Sequence, residues 1–283
     1  MSILYNEYYN EQTGLTIGLK KLLFSKQSDY QLVEVYETDT WGNLMTIDGM
    51  VMLSERDEFV YHEMISHVAM FTHPNPKRVL IIGGGDGGTA REVMKHPSVK
   101  TVDMVEIDQT VVEASKLHLP GVGDFENPKL NVLYEDGIAF VKNVQNPYDV
   151  IIIDGSDPVG PAEGLFEKDF YQLCADALTD DGVLTAQTES PWVESYYPSM
   201  KKVFTALDDL FPVSKMYLSY IPLYPAGMWS MACASKKIDP LSEEVSSRIQ
   251  QGNEILNTLK YYNSDVHHGA FALPNFVKQI IEG

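Results

Sequence analysis

The chain has 283 residues, with 21 Lys and Arg against 40 Asp and Glu, a formal charge of −19. That balance disfavours nucleic acid and anionic membrane surfaces as partners and favours cationic ones. Hydrophobic content of 44% with 22% charged residues is ordinary for a globular protein, and no apolar run approaches the roughly 20 residues that span a bilayer. The start, Met1-Ser2-Ile3-Leu4-Tyr5-Asn6-Glu7, lacks a basic segment followed by an apolar one, so no signal peptide is expected. Cys174 and Cys233 sit in apolar patterns and read as core thiols, and the cytoplasm is the expected compartment.

Residues 31–53 read as antiparallel strands, with Asp48-Gly49 as a two-residue hairpin turn between 44–47 and 50–53. A small N-terminal β-domain over residues 1–57 is the expectation. Tyr61, Met64, Ile65, Val68 and Phe71 recur at helical spacing, and His73-Pro74-Asn75-Pro76 ends that helix. From Arg78 the pattern alternates: strand 79–82, helix 88–95, strand 99–105, helix 110–117, strand 130–133, helix 138–144. Residues 148–153 form a near-continuous apolar strand, as in a sheet covered on both faces. The run from Asp154 to Pro161 is too rich in Gly and Pro for regular structure. Helix 166–178, strand 183–187 and helix 199–210 follow. Strands 213–220 and 228–234 join through a hairpin-like connection, and 274–281 is a terminal helix. The predicted fold class is α/β, a doubly wound Rossmann-like sheet over residues 58–283 beside the antiparallel β-domain. In such sheets ligands bind at the carboxyl ends of the strands.

Between strand 79–82 and its helix lies Gly83-Gly84-Gly85-Asp86-Gly87-Gly88, a nucleotide-type glycine loop. The glycines permit a sharp turn and the close approach of a ligand. Asp86 would repel a phosphate there, so the expected ligand is cationic. Further acidic residues fall at other strand ends. Glu106 stands where a carboxylate accepts hydrogen bonds from ribose hydroxyls, or else complements a helix N-terminus; the ribose reading is favoured. Asp136-Gly137 opens a helix, where it reads equally as an adenine contact or an ordinary N-cap. Asp154 and Asp157 can hold an ammonium, and one can take its proton; alternatively both cap local N–H groups.

The phenols of Tyr61 and Tyr224 can orient an amine, although each also suits core packing. His62, beside Tyr61, and Gln187, at a strand end, are further candidates. The histidines lack metal-ligand spacing, so no metal is assigned. Together these residues describe an adenosine pocket without a phosphate site. A sulfonium nucleoside fits, and decarboxylated S-adenosylmethionine fits best, because it keeps the amine and has lost the carboxylate that Asp86 would repel.

An ordered set of motifs adds to this reading. It comprises Tyr30-Gln31, Asp48-Gly49, Ser54 through Met64, His73-Pro74-Asn75-Pro76, Gly83 through Gly88, Glu106-Ile107-Asp108, Asp154 through Pro161, and Tyr261 through Asp265. Over nearly the whole chain it resembles the spermidine synthase family of aminopropyltransferases. The resemblance implies a methyltransferase-type sheet and transfer of the aminopropyl group of decarboxylated S-adenosylmethionine to putrescine. The products would be spermidine and 5′-methylthioadenosine, with no cofactor beyond that co-substrate. By the family's pattern Gln31, Glu106, Asp136, Gly137 and Pro161 hold the nucleoside, Asp86 the amine, and Asp154 accepts the proton. Tyr61, His62, Asp157, Gln187 and Tyr224 line the polyamine channel. Members of that family also carry Gln at the place of His62, and many carry Ser at the place of Gly155. A homodimer or homotetramer, built with help from the N-terminal β-domain, is implied as well. A methyltransferase, a nicotinamide dehydrogenase and a non-enzymatic polyamine binder are the competing readings. Acceptor length stays open, since one methylene is worth only about 1–3 kcal/mol in a pocket.

Overall fold

The computed structural model describes residues 3–156 and 160–282, with the backbone alone at 160–162 and 282. A five-stranded antiparallel sheet follows chain order: β1 (Ile3–Tyr8), β2 (Gly14–Gln27), β3 (Leu32–Thr38), β4 (Asn43–Ile47) and β5 (Met50–Ser54). Asp48 and Gly49 close the β4–β5 hairpin with φ of 49° and 80°, the paired left-handed conformations of a type I′ turn. Strands β1 and β2 are absent from the sequence-based prediction. Register shifts between Leu19 and Lys21 and between Leu22 and Phe24 break the alternation of β2, and most of its residues face solvent. A period of two is lost when the phase slips within a strand.

A second sheet runs β11-β12-β10-β9-β6-β7-β8. Its strands are β6 (Arg78–Gly83), β7 (Thr101–Val105), β8 (Leu130–Leu133), β9 (Tyr148–Asp154), β10 (Leu178–Gln187), β11 (Val213–Ser219) and β12 (Trp229–Ser235). Strands β6 to β10 pair in parallel, whereas β12 is antiparallel to both β10 and β11, so the sheet is mixed. Alternate residues of β6 enter opposite cores. Val79 and Ile81 pack with α1 (Glu58–Thr72), α2 (Gly88–Met94) and α7 (Glu243–Gln251). Leu80 and Ile82 pack with α5 (Lys168–Asp176) and α6 (Tyr197–Leu210). Helices on both faces make the sheet doubly wound, as predicted. The N-terminal sheet leans on α3 (Gln109–His118), where Val33, Val35, Met45 and Ile47 meet Val111 and Ala114.

Differences from the sequence-based elements cluster where the pattern is short. A 3-10 turn, Gly160–Phe166, occupies part of the Gly- and Pro-rich run, so α5 starts later than predicted. Strand β10 starts earlier, at Leu178. Helices α7, α8 (Asn253–Leu256) and α9 (Ser264–Ala270) are unpredicted, and α10 (Asn275–Glu282) is the predicted terminal helix. Among the described residues no helix is long and apolar enough to cross a membrane.

The chain leaves β6 for β7 and β8 on one side, then returns to β9 on the other. Ligand crevices in open α/β sheets open at such a reversal. Gly83, the last residue of β6, is the register partner of Asp154, the last residue of β9. Every residue of α1 except Phe59 is buried, so its polar residues Glu58, His62, Glu63 and His67 lie inside the protein. Each has a partner. Glu63, for example, accepts from the backbone N–H groups of Lys260, Tyr261 and Tyr262 at 2.8 Å each.

Candidate active site

Gly83 turns the chain away from the sheet with φ of 83°, and a Cβ there would lie 2.1 Å from the carbonyl oxygen of Asp154. A Cβ on Gly85 would meet Glu106 Oε2 at 2.8 Å, and one on Gly88 would enter the His62 ring at 2.3 Å. The tight fit at these glycines comes from the protein itself. They clear space for the protein's own Asp154, Glu106 and His62, and those side chains line the cavity.

Asp86 is not the bare carboxylate that the sequence suggests. Its Oδ1 accepts from Gly88 N–H at 2.7 Å and faces His62 Nε2 at 3.1 Å. His62 Nδ1 lies 2.6 Å from Glu58 Oε2, and Glu58 is gripped by Arg91 at 3.1 and 2.8 Å. Burial works against the His62 charge, but Asp86 and Glu58 outweigh it and hold the ring well above its ordinary pKa. Burial likewise opposes the Asp86 charge, yet His62 and the Gly88 N–H keep its carboxyl below the usual range. His62, Asp86 and Asp154 each offer one ligand atom within 4.8 Å of the others. Both ring nitrogens of His62 already face carboxylates, however, so no imidazole lone pair is presented to a metal ion.

Asp154 is the last residue of β9 and not the start of an irregular run, which corrects the sequence-based placement. Tyr61 donates its hydroxyl to Oδ1 at 2.6 Å and Thr89 donates to Oδ2 at 2.6 Å. Burial and the neighbouring Asp86 push the Asp154 carboxyl above its ordinary pKa, and His62 and the two hydroxyls offset this in part. The Tyr61 phenol is pushed well above its ordinary pKa by burial and by the Asp154 charge, so it remains a donor.

Glu106 follows β7 and spreads its two oxygens over Gly85 N–H at 3.1 Å and Asp108 N–H at 2.9 Å. Burial pushes its carboxyl up to about 7, against the pull of the Asp108 N–H. Asp136 caps α4 (Gly137–Lys142) by accepting from Ile138 N–H at 2.8 Å, and with Gly137 and Gln31 it lines the same cavity as Asp86 and Glu106. A second cavity continues past Tyr61 and Tyr224 to Gln187 and Glu7. Tyr224 donates to the Met52 carbonyl at 2.7 Å. The Gln187 amide donates to the carbonyls of Gly155 and Ser156 at 3.2 Å each, and so holds the segment after β9. Asp157 lies outside the described residues, and Pro161 is described by its backbone alone, in the 3-10 turn. Glu7, Glu58, Thr89 and Arg91 are site components that sequence reasoning missed. Only Glu58 carried a visible signal, as a carboxylate one helical turn before His62.

A methyltransferase-like α/β fold with carboxylates gathered at its switch point is the class that this geometry defines. Residues 58–244 match the spermine/spermidine synthase domain and residues 3–55 match the spermidine synthase tetramerisation domain. A polyamine aminopropyltransferase of Alkaliphilus metalliredigens is 48% identical, with 100% of this chain and 99% of that protein aligned. One from Bacillus subtilis is 45% identical, with 98% of each covered. A solved spermidine synthase in complex with the transition-state analogue AdoDATO superposes with a TM-score of 0.93 at 42% identity, over 99% of this chain and 95% of that one. The spermidine synthase of Thermotoga maritima gives 0.91 at 41% identity, over 99% and 94%. The chain belongs to the spermine/spermidine synthase family and is a polyamine aminopropyltransferase.

Proposed function

We propose that the chain is a spermidine synthase that moves the aminopropyl group of decarboxylated S-adenosylmethionine to putrescine, with Asp154 as proton acceptor. The observation that carries this reading is the convergence of Asp86 and Asp154 in a cavity that shares Tyr61 and Tyr224 with a second one. The cavity holding Gln31, Glu106, Asp136 and Gly137 would take the nucleoside, with Pro161 as a further contact. The other, with Glu7 and Gln187 along it and Tyr61 and Tyr224 at the junction, would take the diamine. Glu7 on this cavity and Asp154 on the adjoining one give a diamine a carboxylate for each of its two amines. Asp157 is proposed on the same side.

In the reaction the acceptor ammonium gives a proton to Asp154, and its freed nitrogen lone pair attacks the methylene carbon beside the sulfonium. The carbon–sulfur bond breaks and its electron pair stays on sulfur, which leaves neutral. An Asp154 with a raised pKa is a better proton acceptor near neutrality than an ordinary carboxylate. Alignment of the two substrates supplies much of the rate, and a leaving group this good needs no metal or other cofactor. A homo-oligomer, dimer or tetramer, is proposed from the match to the tetramerisation domain. Two buried, unpaired thiols support a cytoplasmic setting.

Supplying decarboxylated and intact S-adenosylmethionine separately, each with putrescine, cadaverine or spermidine, tests the reading. Spermidine and methylthioadenosine are expected from the decarboxylated donor and putrescine. A methylated product, or binding without methylthioadenosine, would sink it. Asp154→Asn is expected to lower kcat on the order of 10²–10⁴-fold, and near-normal turnover would remove the base.

A further inference from the structure

The contacts of Asp86 run inward through a line of buried charge that starts behind the cavity wall. Glu58, in the first turn of α1, faces His62 one turn later at 2.6 Å. Arg91 of α2 forks onto both Glu58 oxygens. Arg91 is itself fixed by the Val122 carbonyl at 2.6 Å and by Glu92 at 2.8 Å. Gly88 lies against the ring so closely that any side chain there would overlap it.

We propose that Glu58, backed by Arg91, is a positioning residue: it fixes the His62 ring with one N–H on Asp86, and thereby sets where Asp86 receives the donor's amine. This rests on the reaction proposed above. Both protein contacts of Asp86 fall on Oδ1, which leaves Oδ2 for the incoming ammonium. A ring turned over would present carbon to Asp86, and a neutral ring with its proton on Nδ1 would present a lone pair. Glu58 opposes the first by holding Nδ1 in place, and together with Asp86 at Nε2 it opposes the second by favouring the doubly protonated ring. The charged and titratable groups that face His62 are Glu58 and Tyr61 from α1, Asp86 from the glycine loop, Arg91 from α2 and Asp154 from β9. Asp86, Asp154 and Glu58 favour the imidazolium, and Arg91 opposes it but is itself neutralised by Glu58 and Glu92.

The test combines ring nitrogen NMR of His62 with kinetics of Glu58→Gln. In the unsubstituted enzyme both nitrogens are expected to carry protons at pH 7. In Glu58→Gln the ring should lose its proton at lower pH, and the alkaline limb of kcat/KM for the donor should move down with it. At pH 8 that kcat/KM should fall on the order of 10²-fold, as for a misplaced reacting group, while methylthioadenosine, which lacks the amine, binds as before. Arg91→Lys keeps a positive charge on Glu58 and should lose less. A neutral His62 at pH 7 in the unsubstituted enzyme overturns the proposal even if Glu58→Gln fails to fold. An equal loss of methylthioadenosine binding, with the His62 titration unmoved, overturns it too. Failure of the unsubstituted enzyme to form methylthioadenosine would instead strike the reaction itself and leave the His62 titration to be judged separately.

Discussion

The two hydroxyls on Asp154 divide its chemistry between them. Thr89 anchors one oxygen to the start of α2, and Tyr61 ties the other to α1. Replacing Tyr61 by Phe leaves that oxygen buried without a donor, and a lost donor favours the protonated acid. If Asp154 is the proton acceptor, as proposed, it must be ionised to act, and the acid limb of kcat against pH is expected to shift to higher pH in Tyr61→Phe. An unmoved limb would show that Tyr61 only shapes the cavity. Glu106 offers a second pH signature. Its proton leaves the unfolded chain near 4.5 and the folded one near 7. The folded state is therefore losing stability as pH rises through that window, and above it the loss is constant. Replacing Glu106 by Gln is expected to shrink the stability difference between pH 5 and pH 8 in urea titrations.

Asp86, Glu106, Asp136 and Asp154 are legible in the sequence because strand ends can be read from apolar runs, and the switch point collects strand ends. Their neighbours are not. Nothing local marks Thr89 as the partner of Asp154, since that contact is made by the pairing of β6 with β9. Glu7 is hidden more deeply, in a strand whose partner slips phase twice. The glycine loop is legible as well, but not that Gly85 and Gly88 also make room for protein side chains.

Among the elements, α1 and α2 work as a clamped pair, joined by Glu58, Arg91 and the buried contact of His67 with Glu92. Burial opposes the charge on Glu92, but His67, Arg91 and Lys95 together hold its carboxyl far below the ordinary range. At Gly88 the pair meets with no room to spare. Gly88→Ala forces the His62 ring aside and is expected to cost about 1–3 kcal/mol, the usual range for overpacking. Gly121→Ala is the control, because a Cβ there meets nothing within 4 Å. Equal melting temperatures for the two variants would mean that the ring yields freely.

For the whole molecule, one side of β1 in the N-terminal sheet carries Leu4 and Tyr8 largely exposed, at 59% and 73%. Apolar surface of this size on one sheet suits an association face. Leu4→Asp is expected to yield a smaller species in light scattering while nucleoside affinity stays unchanged. If the species keeps its size, assembly uses another face.

Strand β1 has two sides. Leu4, Asn6 and Tyr8 point outward, while Tyr5 and Glu7 turn inward, where Glu7 accepts from Val51 N–H at 2.8 Å and borders the second cavity. One short strand thus belongs both to the outer face and to the wall of the proposed diamine space. If subunits meet on that outer face, the enzyme's grip on its acceptor becomes a function of protein concentration. Dilution below the assembly constant is expected to raise KM for putrescine and leave KM for the nucleoside donor where it was.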